Sequence, residues 1–110
     1  MSREIPVLLG EIRAFATEQL PAGWMPCDGR SLVIREYVDL FSLIGTAYGG
    51  DGISHFPLPD LRGRSPAGWD GAHHVGSVSG IPGTADTGLL PTTTLTWAIA
   101  VKGFPPPSRD

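Results

Sequence analysis

Several places in the sequence carry residue types that could do chemistry. His73 and His74 are adjacent imidazoles. Three copies around a threefold axis could bring imidazoles together, but neighbouring side chains on an extended chain point to opposite faces, so at most one of the pair would face the axis, and His73 and His74 are weak metal candidates. Solvent or interface contact is expected of them, and no metal or other cofactor. His55 stands alone and is expected to pack beside Phe56. Asp51 lies among Gly49, Gly50 and Gly52. The Asp-x-Asp-x-Asp-Gly spacing of a calcium loop and the Lys-Ser or Lys-Thr of a phosphate loop are both missing there. A helix stop followed by a glycine-shaped turn is expected. Asp60, Arg62 and Arg64 flank Gly63. A planar guanidinium suits an acidic partner or a local ion pair equally, and the pair that fixes the turn is the simpler expectation. Cys27 is the only cysteine. With no motif setting a histidine beside it and Trp24 and Met25 leading up to it, a buried structural thiol is expected. Trp24 and Trp97 fall in patterned stretches and are assigned to the core. Trp69 opens a glycine-rich stretch and is the aromatic best placed to meet a glycan or a partner, with His73 and His74 beside it.

The elements that must position these residues are short. Gly10 to Ala16 alternates imperfectly, with Ile12, Ala14 and Ala16 on one face, which suits a strand that Val7 to Leu9 could extend. Pro21-Ala22-Gly23 marks a turn. Trp24 to Cys27 then leads into Asp28-Gly29, a strong hairpin dipeptide, with Arg30 to Ile34 as the returning strand. Pro26 cannot donate a backbone hydrogen bond and should lie at an edge or before the turn. Tyr37, Leu40, Phe41, Ile44 and Tyr48 recur at helical spacing, predicting one helix of about three turns that Gly49 to Gly52 stops. The prolines of Phe56-Pro57-Leu58-Pro59 force extended backbone. Residues 68–88 read as a long loop. Leu95, Trp97, Ile99 and Val101 alternate with small residues, predicting a strand with one apolar face that Gly103 ends; Pro105-Pro106-Pro107 predicts a polyproline stretch.

The chain has 110 residues, 41% hydrophobic and 17% charged, with a net charge of -3. That is one domain with one core, and no positive field to gather nucleic acid. Its 15 glycines and 11 prolines make it rich in loops. A single cysteine excludes an internal disulfide. No apolar run approaches the roughly 20 residues that span a bilayer, so no membrane insertion is expected. The N-terminus lacks the layout of a signal peptide, so synthesis and folding in the bacterial cytoplasm are expected. The fold class expected is mainly β with one short α-helix, an α+β domain covering residues 1–110, with a motif-bearing core at 10–68, a glycine-rich loop at 69–90 and a C-terminal strand and tail at 91–110.

Three ordered stretches resemble the phage tail-collar domain family, and more closely its microcystin-dependent-protein branch. They are Gly10-Glu11-Ile12-Arg13; Pro21-Ala22-Gly23-Trp24 running to Cys27-Asp28-Gly29; and Leu40-Phe41-Ser42-Leu43-Ile44-Gly45 through Tyr48-Gly49-Gly50-Asp51-Gly52 to Phe56-Pro57-Leu58-Pro59-Asp60-Leu61-Arg62-Gly63-Arg64. The ending Ala98 to Pro105 is similar to the family's last strand. The resemblance implies a compact collar-type domain whose structural motif is Gly23, Trp24, Cys27, Asp28, Gly29, Gly49 to Gly52, Pro59, Asp60, Arg62, Gly63 and Arg64. Members of that branch commonly carry a longer insertion with a Pro-x-His-x-His segment before the last strand. That segment is missing here, so metal and receptor binding do not carry over. The resemblance implies a structural part of a phage tail, tail fibre or phage-derived contractile injection particle, assembled as a homo-oligomer with a trimer favoured, among other tail or fibre proteins. A fibre-tip module that binds a receptor or cell-surface glycan is the rival. Carboxylates are scattered without an acid-base pair or nucleophile motif, so no enzyme is expected.

Overall fold

A computed structural model describes residues 7–79 and 91–106 of the chain. The order is β1 (Ile12–Phe15), β2 (Trp24–Pro26), β3 (Ser31–Val33), a single 3-10 turn (Ile34–Glu36), α1 (Val38–Ile44), β4 (His55–Pro57) and β5 (Thr96–Ala100). Two small antiparallel sheets carry the fold, one ordered β1-β5-β2 and the other pairing β3 with β4. The architecture is mainly β with one short helix, as the residue pattern predicts.

The core fills the space between the sheets. Leu9, Cys27, Leu32, Leu40, Phe56, Leu58, Ile99 and Val101 are buried together, with Met25, Tyr37, Phe41, Ile44 and Trp97 packed around them. Phe41 and Phe56 meet ring to ring at 5.3 Å. The helical spacing read from Tyr37 to Ile44 is therefore the spacing that lays α1 on the core. The helix is shorter than its periodicity predicts. Gly45, at φ +54, donates to the Phe41 carbonyl at 2.7 Å and closes α1 after two turns. Gly49 and Gly50 do something else: they run beside β4, where a Cβ on Gly50 would stand 3.1 Å from the His55 carbonyl oxygen and from Pro57. Tyr48 follows the helix in a turn and is half-buried.

The predicted Asp28-Gly29 hairpin does not form. The strands on either side of it join different sheets, β2 pairing with β5 and β3 with β4. A type I′ turn needs positive φ at both central residues, and only Gly29 has it, at +76. The chain instead runs on through Gly29 and changes sheets there.

β5 is central and buried on both faces, which corrects the expectation of one apolar face. Ile99 and Val101 enter the core. Ala98 and Ala100 lie on the opposite face in register with Arg13, Trp24 and Pro26, and are fully buried there. Trp24 accordingly covers the alanines outside the core, stacking edge-on with Phe15 at 5.2 Å and under the Arg13 guanidinium at 5.4 Å. Trp97 packs on the core side.

Val7 to Leu9 do not extend β1. A turn intervenes, the Glu11 N–H donating to the Leu8 carbonyl at 3.0 Å around Gly10 at φ +83. Leu8 pairs in parallel with Phe104 instead. That pairing needs Gly103, where a Cβ would clash with the Val7 carbonyl. Pro107 of the predicted polyproline stretch and residues 80–88 of the predicted loop lie outside the described residues. No helix among the described residues is long and apolar enough to cross a membrane.

Candidate functional site

The sheet change at Gly29 builds the most organised polar feature of the chain. The register that pairs β3 with β4 continues past the strands into an isolated antiparallel bridge between Asp28 and Asp60. Two backbone bonds flank it: Gly29 N–H donates to the Pro59 carbonyl at 3.1 Å, and Leu61 N–H to the Cys27 carbonyl at 2.9 Å. Bonds outside a facing pair mark the close type of antiparallel position, with Cα atoms about 4.5 Å apart. Two carboxylates so placed repel each other.

Each aspartate is answered by the arginine two residues later. Arg30 donates through Nε and Nη2 to Asp28 at 3.0 and 2.9 Å, and its backbone N–H reaches the same carboxylate at 3.2 Å. Arg62 repeats this on Asp60, at 2.9 Å through both nitrogens and 3.2 Å from the backbone. Such two-pronged, charge-assisted pairs are the strongest hydrogen bonds a surface offers. The Arg30 bonds hold the Asp28 carboxyl below its ordinary range. The Arg62 bonds, helped by the charge of Arg64, bring Asp60 down to about 2. Arg64 closes the turn from within: its Nη1 donates to the Asp60 carbonyl at 2.8 Å, and its N–H to Leu61 at 3.1 Å across Gly63. The local ion pair expected of Asp60 and Arg62 is present in this form.

Glycine suits position 29, where φ is +76 and a Cβ would stand 3.3 Å from that of Asp60 and press on it. Cys27 lies under the bridge, 3% exposed. Burial first, and then the charges of Asp28 and Asp60, push its thiol up to about 12. A thiol so protonated is a poor nucleophile at neutral pH. The arrangement can fasten two chain segments and present charged groups.

Of the motif residues singled out in the sequence, Cys27, Asp28, Gly29, Pro59, Asp60, Arg62, Gly63 and Arg64 come together in this clamp. Gly23 and Trp24 sit one strand away, the Gly23 carbonyl accepting from Val101 at 2.8 Å. Asp51 is apart as well: its carboxylate accepts from the N–H groups of Ile53 at 2.8 Å and Ser54 at 3.3 Å and shapes the approach to β4. Those bonds lower its pKa. Arg30 is the member that sequence reasoning missed. The signal was available, because Asp-x-Arg occurs at both 28–30 and 60–62.

Trp69, His73 and His74 belong to a separate, exposed segment. Trp69 is 73% exposed. Asp70 accepts from the N–H groups of Ala72 and His73, and His73 Nδ1 lies 3.6 Å from its carboxylate. His74 contributes only its carbonyl, to Ser77 at 2.9 Å. Gly76 ties the segment to the turn after α1, passing too close to the Ala47 carbonyl for a Cβ. His55 is exposed rather than packed on Phe56, because adjacent strand residues face opposite sides; its Nδ1 meets the Ser54 hydroxyl at 3.0 Å. Among the described residues no three histidine, cysteine, aspartate or glutamate side chains converge as a metal site would require. A groove of about 350 Å³ lies on another side, between Tyr37, Val38 and the Lys102-Gly103 segment that follows β5.

No curated protein matches the chain. The sequence pattern of the Phage Tail Collar Domain matches residues 10–66, over half of the chain and the span that holds β1 through β4, α1 and both halves of the clamp. The chain belongs to the phage tail collar domain family.

Proposed function

We propose that this protein is a structural component of a phage tail, tail fibre or phage-derived contractile injection particle, working by assembly and by presenting a rigid surface. The observation that carries this reading is the coincidence of the family match at 10–66 with the clamped core. What the matched residues build is a fastening, with its one thiol held protonated and its carboxylates committed to arginines. The shortened microcystin-dependent-protein branch is the place in the family that fits its motif spacing. Copies of the chain associate as a homotrimer, with other tail or fibre proteins as neighbours. A core this small gains from burial between subunits. Light scattering on purified protein across a dilution series, with and without chelator, tests this. A trimer indifferent to chelator is expected, and a monomer at every concentration would overturn self-assembly.

Exposed Trp69 beside Asp70 and His73 favours a second reading, a module at a fibre tip that binds cell-surface glycan. Sugar binding commonly sets an aromatic face beside a carboxylate. Glycan-array binding lost in Trp69→Ala while assembly persists would select it.

A further inference from the structure

The two edges of the three-stranded sheet are finished differently. On the β5 ladder, Gly10 N–H donates to the Ala100 carbonyl at 2.9 Å while Ala100 N–H donates to Glu11 at 2.8 Å. Two residues thus oppose one in a β-bulge whose first member is a left-handed glycine. From that point the antiparallel alternation turns the backbone groups of Arg13 and Phe15 toward β5 and those of Ile12 and Ala14 outward. At the other edge, Val101 donates to Gly23 and Cys27 to Trp97, so Trp24 and Pro26 face out from β2. Pro26 has no N–H, which blunts that edge in the usual way. No proline lies in β1, and among the described residues no strand covers its outer side. Ile12, on the core-side face, is 37% exposed, and Ala14 is exposed beside it.

We propose that the free edge of β1 is a self-pairing surface: two copies join β1 to β1, antiparallel, about a two-fold axis through Ile12. In that register the outward N–H and carbonyl groups of Ile12 meet their own counterparts, and Glu11 of each copy stands opposite Arg13 of the other. Within one copy Glu11 and Arg13 already pair, so the contact assembles a closed ring of four alternating charges. The opposite shift, with Ile12 facing Ala14, would set Arg13 against Arg13, and like charges directly opposed are disfavoured. Such a contact uses the same patch on both copies and joins them two at a time. It is distinct from a threefold contact and can tie two trimers together; it rests on the reading above only in that copies of the chain meet.

The test combines mass and exchange. At the concentrated end of the dilution series wild-type protein is expected to show species of twice the trimer's mass by light scattering, with Ile12 amide exchange slowed at least about tenfold relative to dilute samples, where the trimer stands alone. Ile12→Pro removes the outward N–H that the two copies exchange, without touching the β5 ladder, and should halve the mass. Glu11→Arg and Arg13→Glu, each alone, should fail to self-pair, yet a mixture of the two should form mixed pairs, because one then carries two cations and the other two anions. Doubled species that survive Ile12→Pro, or failure of the mixture to pair, would overturn the β1 contact. A wild-type trimer with no even-numbered species would also overturn it while leaving the structural assignment standing. A monomer throughout would remove both.

Discussion

Asp28 and Asp60 face each other across an antiparallel bridge, and each is held by the arginine two residues further on. Like charges are thereby set at the closest backbone approach, and the fold neutralises them locally. Arg62 also acts on the Asp28 charge, so the two pairs form one electrostatic unit. The clamp sits where the chain leaves one sheet for the other.

Replacing one carboxylate should therefore cost an amount at the upper end of what an exposed ion pair contributes, about 0–1 kcal/mol. Asp60→Ala leaves Arg62 without its partner and the Arg62 N–H uncapped. A loss of up to about 1 kcal/mol in urea unfolding is expected, because Arg62 is largely exposed and water takes up its freed donors. In the Asp28→Ala, Asp60→Ala double variant the losses should be less than additive, because the second deletion removes repulsion as well as attraction. Strict additivity would show that the two pairs act independently.

Acid should loosen the same unit. The Asp60 carboxyl ionises at about 2 in the folded chain against an ordinary 3.8, and Asp28 and Asp51 are lowered in the same direction. For a carboxyl lowered on folding, the stabilisation is fully present above the unfolded value and is lost as pH falls toward the folded one. Stability should hold down to about pH 4 and then fall toward pH 2 as the unfolded chain takes up more protons. Asp60→Asn should flatten that slope. An unchanged slope in the variant would mean that Asp60 does not contribute.

Gly29→Ala should destabilise the chain. A left-handed position costs an L-residue roughly 1–2 kcal/mol, and here the new methyl would also press on Asp60 at 3.3 Å. Gly68→Ala is the control, with nothing within 4 Å of the added carbon. Thermal unfolding should show a clear drop for Gly29→Ala and little change for Gly68→Ala.

These effects bear on what the sequence could reveal. Tyr37, Leu40, Phe41 and Ile44 announce α1 because their spacing is that of a face pressed on a core. The end of the helix is less legible: Gly45 and Gly49 are equally good stops, and what decides is the demand of β4 for glycine alongside it at Gly50. Asp28-Gly29 reads as a hairpin because local turn chemistry is all that a dipeptide carries. The partner that overrides it, Asp60, lies 32 residues away, and only the repeated Asp-x-Arg spacing hints that the two belong together. The two-sided burial of β5 is hidden for a similar reason. Alanine looks neutral in an alternating pattern, and it takes the register with Trp24 to show that Ala98 and Ala100 are covered.

Cys27 supplies a check on the core beneath the clamp. Its thiol is pushed up to about 12 from 9.0, mainly by burial. The folded chain then prefers the neutral form, so its contribution to stability is complete below pH 9 and declines as pH rises toward 12, where the unfolded chain releases its proton first. Native protein at pH 8 should resist a thiol-reactive probe such as a disulfide reagent, with labelling slowed to the rate of unfolding and restored in urea. Cys27→Ala should remove part of the alkaline destabilisation, with Tyr48, whose hydroxyl is raised chiefly by burial, contributing another part. Rapid labelling of native protein at pH 8 would show that the thiol is open to solvent, and that the bridge of Asp28 and Asp60 above it opens more readily than its paired arginines imply.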